Sequence, residues 1–238
     1  AVREGRRIFD NIKKYLSYLL QCNIAEILVM LIAVFIVWPT TEGLRTIIPL
    51  TAIQLLWVNL TTDGLPALAL GVDPADPDVM ERAPRDPKES VFSRDVKTCL
   101  IVTPLIVTAL LLVVFVDSLA AGSMVTPELE LRMRTRVFTS MVFMELAIAV
   151  TCRSLKCPLY KVGVFANKFL WIAIASSVAM QLAVLYIPQL HPAFDITFPT
   201  FMDWVIVLAS ALLIFVVMEM RKAMYYRIHQ TKKMTVSS

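Results

Sequence analysis

Histidine and cysteine are scarce, with two His and four Cys in 238 residues. His191 and His229 fall in a loop and a tail, with no neighbours that would make either one a catalytic base. Cys22 and Cys99 lie within or at the edge of apolar segments, and Cys152 and Cys157 flank a basic loop in which thiols are expected to stay reduced. Their C-x4-C spacing with no nearby His is a poor zinc pattern, so the cysteines carry no metal role in this reading. The strand-length alternation of a β-barrel is missing. No small-residue cleavage site follows the first apolar run, which argues against a removable signal peptide. Residues 1–117 and 118–238 share no repeat of the kind built into secondary transporters. The chain opens on Ala rather than Met, and it is expected to be a piece of something longer.

What is abundant is apolar surface. Hydrophobic residues make up 58% of the chain and the mean hydropathy is +0.69, against roughly 45–50% apolar content in a soluble domain. A helix needs about 20 apolar residues to cross the hydrocarbon core. Six segments qualify, at about 15–38, 46–71, 98–117, 135–153, 168–187 and 202–220. The expected fold is therefore all-α, a polytopic membrane bundle of six transmembrane helices. Charge orients it, because cytoplasmic loops collect Lys and Arg. Nineteen basic residues fall on the side that carries both termini, the 72–97 loop and the 153–168 loop, and four on the other. Both ends are thus expected in the cytoplasm. Arg132, Arg134 and Arg136 are a local exception, softened by Glu128 and Glu130. The net charge of +4 is read as this orientation signal and not as a nucleic-acid footprint.

Acids inside such spans are costly, about 2.5–3.5 kcal/mol each at the bilayer centre, so each one needs a reason. Three stand out: Glu26 in CNIAEI, Asp63 in WVNLTTDGLP and Glu145 in MVFMELAIAV. At 1.5 Å per residue all three lie roughly 12–17 Å below the cytoplasmic face, at one level. Asn23 precedes Glu26 by three, Asn59 precedes Asp63 by four, and Thr62 follows Asn59 by three, spacings that share a helix face. Together they form an oxygen-only donor set suited to a hard cation such as calcium, with no Cys or His to favour zinc or copper. Pro66 has no N–H to give the Thr62 carbonyl, and Gly64 adds backbone freedom, so the second helix is expected to be unwound near Asp63–Pro66. Freed backbone at membrane depth is tolerated where it lines a site. The competing reading is a structural kink with its polar residues in interhelical hydrogen bonds.

NLTTDGLPALALG, CNIAEI, the opening EGRRIFDNIKKYLSYLL and the loop DPADPDVMERAPRDPKE resemble the C-terminal membrane half of calcium-transporting P-type ATPases, the sarcoplasmic-reticulum type and its prokaryotic relatives. The resemblance runs over nearly the whole chain, is strongest in 1–95, and makes these spans the fifth to tenth of ten. It implies that Asn23, Glu26, Asn59, Thr62, Asp63 and Glu145 are calcium ligands, with Asp63 bridging two ions. It also implies partners: N-terminal membrane helices and cytoplasmic phosphorylation, nucleotide-binding and actuator domains of the same pump, besides the lipid bilayer. The D-K-T-G-T and T-G-E motifs do not occur in this chain, so ATP and Mg2+ would act only through those other domains, and no catalytic residue is assigned here. The 72–97 loop would dock on the phosphorylation domain, although a solvated connector reads almost as well, and its DPADPD lacks the Gly and terminal Glu of an EF-hand. The first span, extended by AVREGRRIFDNIKKY, would be the lever from motor to site. An acid at 145 allows two ions per cycle, and Asn59 in place of the additional Asp of sodium-potassium pumps lowers the weight on monovalent ions. A manganese-transporting relative typically lacks an acid matching Glu26. The expected activity is calcium export from the cytoplasm with proton counter-transport, in the plasma membrane if prokaryotic. A pump for Mn2+, Na+ or H+, or a channel or secondary transporter, is the alternative.

Overall fold

A computed structural model describes residues 1–37, 48–76, 79–80, 92–120, 126–155 and 157–236. Among these residues the chain is helical throughout and no strand occurs. Helix α1 (Val2–Ile32) continues into a π-helical turn, Ala33–Val37. The second segment comes in three pieces: α2 (Ala52–Trp57), a π-helical stretch Val58–Thr62, and α3 (Gly64–Gly71). Then come α4 (Arg94–Ala120), α5 (Pro127–Thr151), the short α6 (Leu159–Val162), α7 (Lys168–Tyr186), the short α8 (His191–Phe194) and α9 (Phe201–Val236).

Local chemistry sets the boundaries. Thr51 and Gln54 form a reciprocal capping box at the start of α2, with the Thr51 hydroxyl accepting from the Gln54 N–H at 3.3 Å and the Gln54 amide oxygen accepting from the Thr51 N–H at 2.9 Å. Helix α5 begins with Thr126 as cap, Pro127 in the first turn, and Glu128 and Glu130 near the positive end of the dipole. Asn167 caps α7 through the Leu170 N–H at 3.0 Å.

Among the described residues, four helices are long and apolar enough to cross a membrane: Val2–Phe35, Val96–Ser118, Lys168–Tyr186 and Phe201–Arg227. The expected six spans are therefore only partly matched. The second segment falls short because no unbroken piece exceeds eight residues. Helix α5 carries five charged residues in its first ten and hides most of its remaining length inside the bundle. The first helix also starts thirteen residues earlier than the apolar run at 15, since Val2–Lys14 is helix too.

The bundle buries polar side chains within an apolar core and is also apolar on its outer face. Leu31, Phe35, Leu60, Leu68, Ile101, Val113, Phe169 and Leu212 are exposed, as lipid-facing positions are. Along α1 the buried residues are Asn11, Lys14, Ser17, Tyr18, Gln21, Cys22, Ala25, Glu26 and Val29. Their three-and-four spacing is one helix stripe, and this stripe packs on α3, α4 and α5. Helix α5 in turn lies along α9. Lys222 of α9 donates to the α5 C-terminal carbonyl of Thr151 at 2.8 Å and to the Ser154 carbonyl at 3.2 Å, and it pairs with Glu219. This places a cation where the helix dipole is negative.

The arginine exception has a structural cause. Arg134 pairs with Glu130 at 2.5 Å and Asp195 at 3.1 Å, and donates to the Ile48 carbonyl at 3.2 Å. Arg136 pairs with Asp203 at 2.7 Å and Asp117 at 3.2 Å. The sequence pointed to Glu128 and Glu130 as the counter-charges. Three of the four acids found come instead from α4, the segment after α8, and α9.

Candidate cation site

Three carboxylates converge where α1, α5 and the second segment meet. Asp63 and Glu145 are fully buried, and Glu26 is 6% exposed. Glu26 reaches the site from the buried stripe of α1, and Glu145 from the middle of α5. Asp63 is placed by the π-helical stretch: its N–H bonds the Val58 carbonyl five residues back, at 2.9 Å. Such a wide turn inserts a residue into the helix and re-aims the side chains beyond it, and π-turns of this kind are frequent at functional sites.

The expected loosening thus lies one turn earlier than the sequence suggested, and it is a widening rather than an unwinding. Asp63 keeps helical dihedrals, φ −89° and ψ −35°, and α-helix resumes at once at Gly64. Pro66 acts as expected in one respect. The Thr62 carbonyl that it cannot serve accepts instead from the Ser177 hydroxyl of α7, at 3.4 Å. Gly64 does not act as expected. It has no left-handed φ, and a Cβ built there meets nothing within 4 Å.

Each of two acids takes one neutral donor. Tyr18 donates its hydroxyl to Asp63 Oδ1 at 2.6 Å, and Asn59 donates Nδ2 to Glu26 Oε2 at 2.6 Å and to the Leu55 carbonyl at 3.0 Å. In this cluster four buried carboxylate oxygens have no hydrogen-bond partner: Glu26 Oε1, Asp63 Oδ2 and both oxygens of Glu145. Leaving a buried carboxylate oxygen unpaired costs more than 1–3 kcal/mol, so a cluster of them signals a ligand. Thr62 donates to the Val58 carbonyl at 3.0 Å, and Asn23 donates Nδ2 to the Leu19 carbonyl at 2.8 Å. Their hydrogens are thus held by their own helices, leaving the Thr62 hydroxyl oxygen and the Asn23 amide oxygen as possible acceptors. Of the six residues singled out in the sequence, Asp63 and Glu145 come within reach of a common point and Glu26 is joined to Asn59. Asn23 and Thr62 hydrogen-bond within their own segments.

Two further residues stand at the cluster without having been singled out in the sequence. Tyr18 holds Asp63, and the Sγ of Cys22 lies with one oxygen each of Asp63 and Glu145 within 4.8 Å of one another. Both stand on the face of Glu26, at spacings of eight and four residues, so the 3.6-residue period that exposes the stripe would have found them.

A helical membrane bundle that buries three acids against one another belongs to the class of integral membrane proteins with a polar centre. The comparisons narrow that class. The model of the family described as "Cation transporting ATPase, C-terminus" matches residues 47–224, and the chain belongs to that family. It is 36% identical to calcium-transporting ATPase 1 of Bacillus cereus over 93% of this chain and 25% of that protein. It is 37% identical to the calcium-transporting ATPase of Bacillus subtilis over 89% of this chain and 22% of that protein. It is 31% identical to calcium-transporting ATPase type 2C member 2 of Rattus norvegicus, over 93% of this chain and 22% of that protein. The chain spans about a quarter of the length of these relatives.

Proposed function

We infer that this chain is the ion-translocating membrane part of an ATP-driven calcium pump. The observation that carries the reading is the group of four buried, partnerless carboxylate oxygens on Glu26, Asp63 and Glu145. Calcium takes six to eight oxygens at about 2.3–2.6 Å. In this reading Asn23, Glu26, Asn59, Thr62, Asp63 and Glu145 supply them, with Asp63 central. The names of the relatives favour calcium among divalent cations.

Six spans then cross the bilayer, the interrupted second segment and α5 completing the four apolar ones. Both termini lie in the cytoplasm, in the plasma membrane if the source is prokaryotic. Calcium enters from the cytoplasm with the acids ionised, and phosphorylation elsewhere in the pump opens the cage to the far side. Protons return on Glu26 and Glu145, because emptied acids crowded in a low dielectric cannot all stay charged. ATP and Mg2+ act through phosphorylation, nucleotide-binding and actuator domains outside this chain. The 72–97 loop docks on the phosphorylation domain; half of it, 77–78 and 81–91, lies outside the described residues.

Asp63→Asn in the complete pump tests the site. It is expected to abolish calcium-dependent phosphorylation by ATP, and wild-type calcium affinity in that variant would remove Asp63 from the cage. The coding sequence upstream of Ala1 is expected to contain D-K-T-G-T.

A further inference from the structure

Calcium does not need sulfur, yet a thiol sits in the cluster. Among the described residues, Cys22, Asp63 and Glu145 are the one group of three His, Cys, Asp or Glu side chains whose donor atoms fall within 4.8 Å of one another, and all three are buried. In the same group both oxygens of Glu145 lack partners, as does Asp63 Oδ2. The other buried cysteines sit differently: Cys152 accepts from Gln21 at 3.7 Å and Cys99 from Arg221 at 2.7 Å, with no carboxylate grouped beside either.

One soft donor and two carboxylates suit a thiophilic divalent cation better than they suit calcium. In a tetrahedral zinc site, Zn–S of about 2.3 Å and Zn–O of about 2.1 Å put the donor atoms about 3.6 Å apart. Atoms no more than 4.8 Å apart reach that spacing by side-chain rotations of about an ångström. Cys22 occupies the buried stripe of α1 one turn before Glu26, so its sulfur has a fixed place there.

We propose that Cys22 is a soft donor in the cation cage, and that Cys22, Asp63 and Glu145 form a subsite for thiophilic divalent cations of the zinc and cadmium class, in competition with calcium. The inference rests on the reading of this cluster as the pump's ion site. On ligation the sulfur–hydrogen bond breaks, a metal–sulfur bond forms, and the proton passes to water.

The test uses the complete pump, purified, with cadmium chloride as probe. The first measurement is the cadmium concentration that halves calcium-dependent phosphorylation at fixed free calcium. The second is the ultraviolet thiolate-to-cadmium absorption on titration, read as wild type minus Cys22→Ser. Replacing a direct ligand should cost no less than the 10–100-fold known for outer-shell changes. Cys22→Ser is therefore expected to raise the half-inhibiting concentration, read relative to the variant's own calcium-dependent phosphorylation, at least about tenfold, and to abolish the difference absorption. Cys22→Ala serves as the second small replacement and is expected to behave alike. Equal cadmium sensitivity and equal absorption in wild type and both variants would overturn the proposal. A wild-type protein without calcium-dependent phosphorylation would instead defeat the pump reading, and the absorption difference would still report whether Cys22 ligates.

Discussion

Two buried acids stand ten residues apart along one stretch of chain, about 15 Å at helical rise, and their surroundings are opposite. Asp63 keeps one oxygen on Tyr18 and leaves the other without a partner, and its neighbours Glu26 and Glu145 also carry partnerless oxygens. Asp73, two residues past the end of α3, is satisfied on every side. Its Oδ1 accepts from Arg153 at 3.1 Å and Asn167 at 2.7 Å, its Oδ2 from Lys14 at 2.8 Å, and its carbonyl from Asn11 at 2.8 Å. Lys14 also pairs with Asp76 at 3.0 Å. Arg153 donates further to the carbonyls of Gly163 and Val164. Buried charge just past α3 with partners from α1 and the 153–167 connection ties helices together. Buried charge without partners leaves oxygens open to a ligand. The same residue type thus serves as a fastener in one place and stands open to a ligand in the other, and neighbouring cations decide which.

Arg153 is where substitution should do the most damage. Removing one member of a buried, hydrogen-bonded charge group strands the others, at about 3–5 kcal/mol. Arg153→Ala should therefore lower the melting temperature sharply or abolish recovery of folded pump, while any folded fraction binds calcium as the parent does. Melting like wild type would mean that the Asp73 centre does not hold the helices. Glu145→Gln is the opposite experiment. It removes a carboxylate that has no protein partner, so in chelator its melting temperature should equal or exceed that of the parent. Equilibrium binding of radiolabelled calcium should meanwhile fall by one ion per pump or weaken markedly. Unchanged stoichiometry would show that Glu145 points away from the cargo.

Much of this is legible in the sequence, for reasons that differ by residue. Glu26, Asp63 and Glu145 declare themselves because an acid in an apolar span has no cheap explanation, and depth along a helix is simple counting. Tyr18 and Cys22 share the stripe with Glu26 and are readable from period alone, but neither residue type is costly in a span, so neither draws notice. The Asp73 centre is beyond such reading. DPADPD reads as a polar loop, and only the fold brings Lys14, about sixty residues earlier, and Arg153, eighty residues later, onto it. The place of the π-helical stretch is equally hidden. Pro66 reveals a missing donor, but nothing in the sequence brings Ser177 of α7 to the Thr62 carbonyl at the end of the widened turn.

That contact sets the two mildest effects. Pro66→Ala restores an N–H that competes with Ser177 for the Thr62 carbonyl, which should release α7 from the segment and weaken calcium affinity several-fold while leaving Asp63 in the site. Unchanged affinity would mean that the widening at Val58–Thr62 is fixed without Pro66. Gly64→Ala should do least. The added methyl meets open space and an ordinary helical backbone, so propensity favours it by up to about 1 kcal/mol, and calcium affinity should be unchanged. The two replacements separate the sources of the interruption that NLTTDGLP announces. If Gly64→Ala lost calcium binding and Pro66→Ala did not, motion at Gly64 during the transport cycle, rather than the missing proline donor, would be what the site requires.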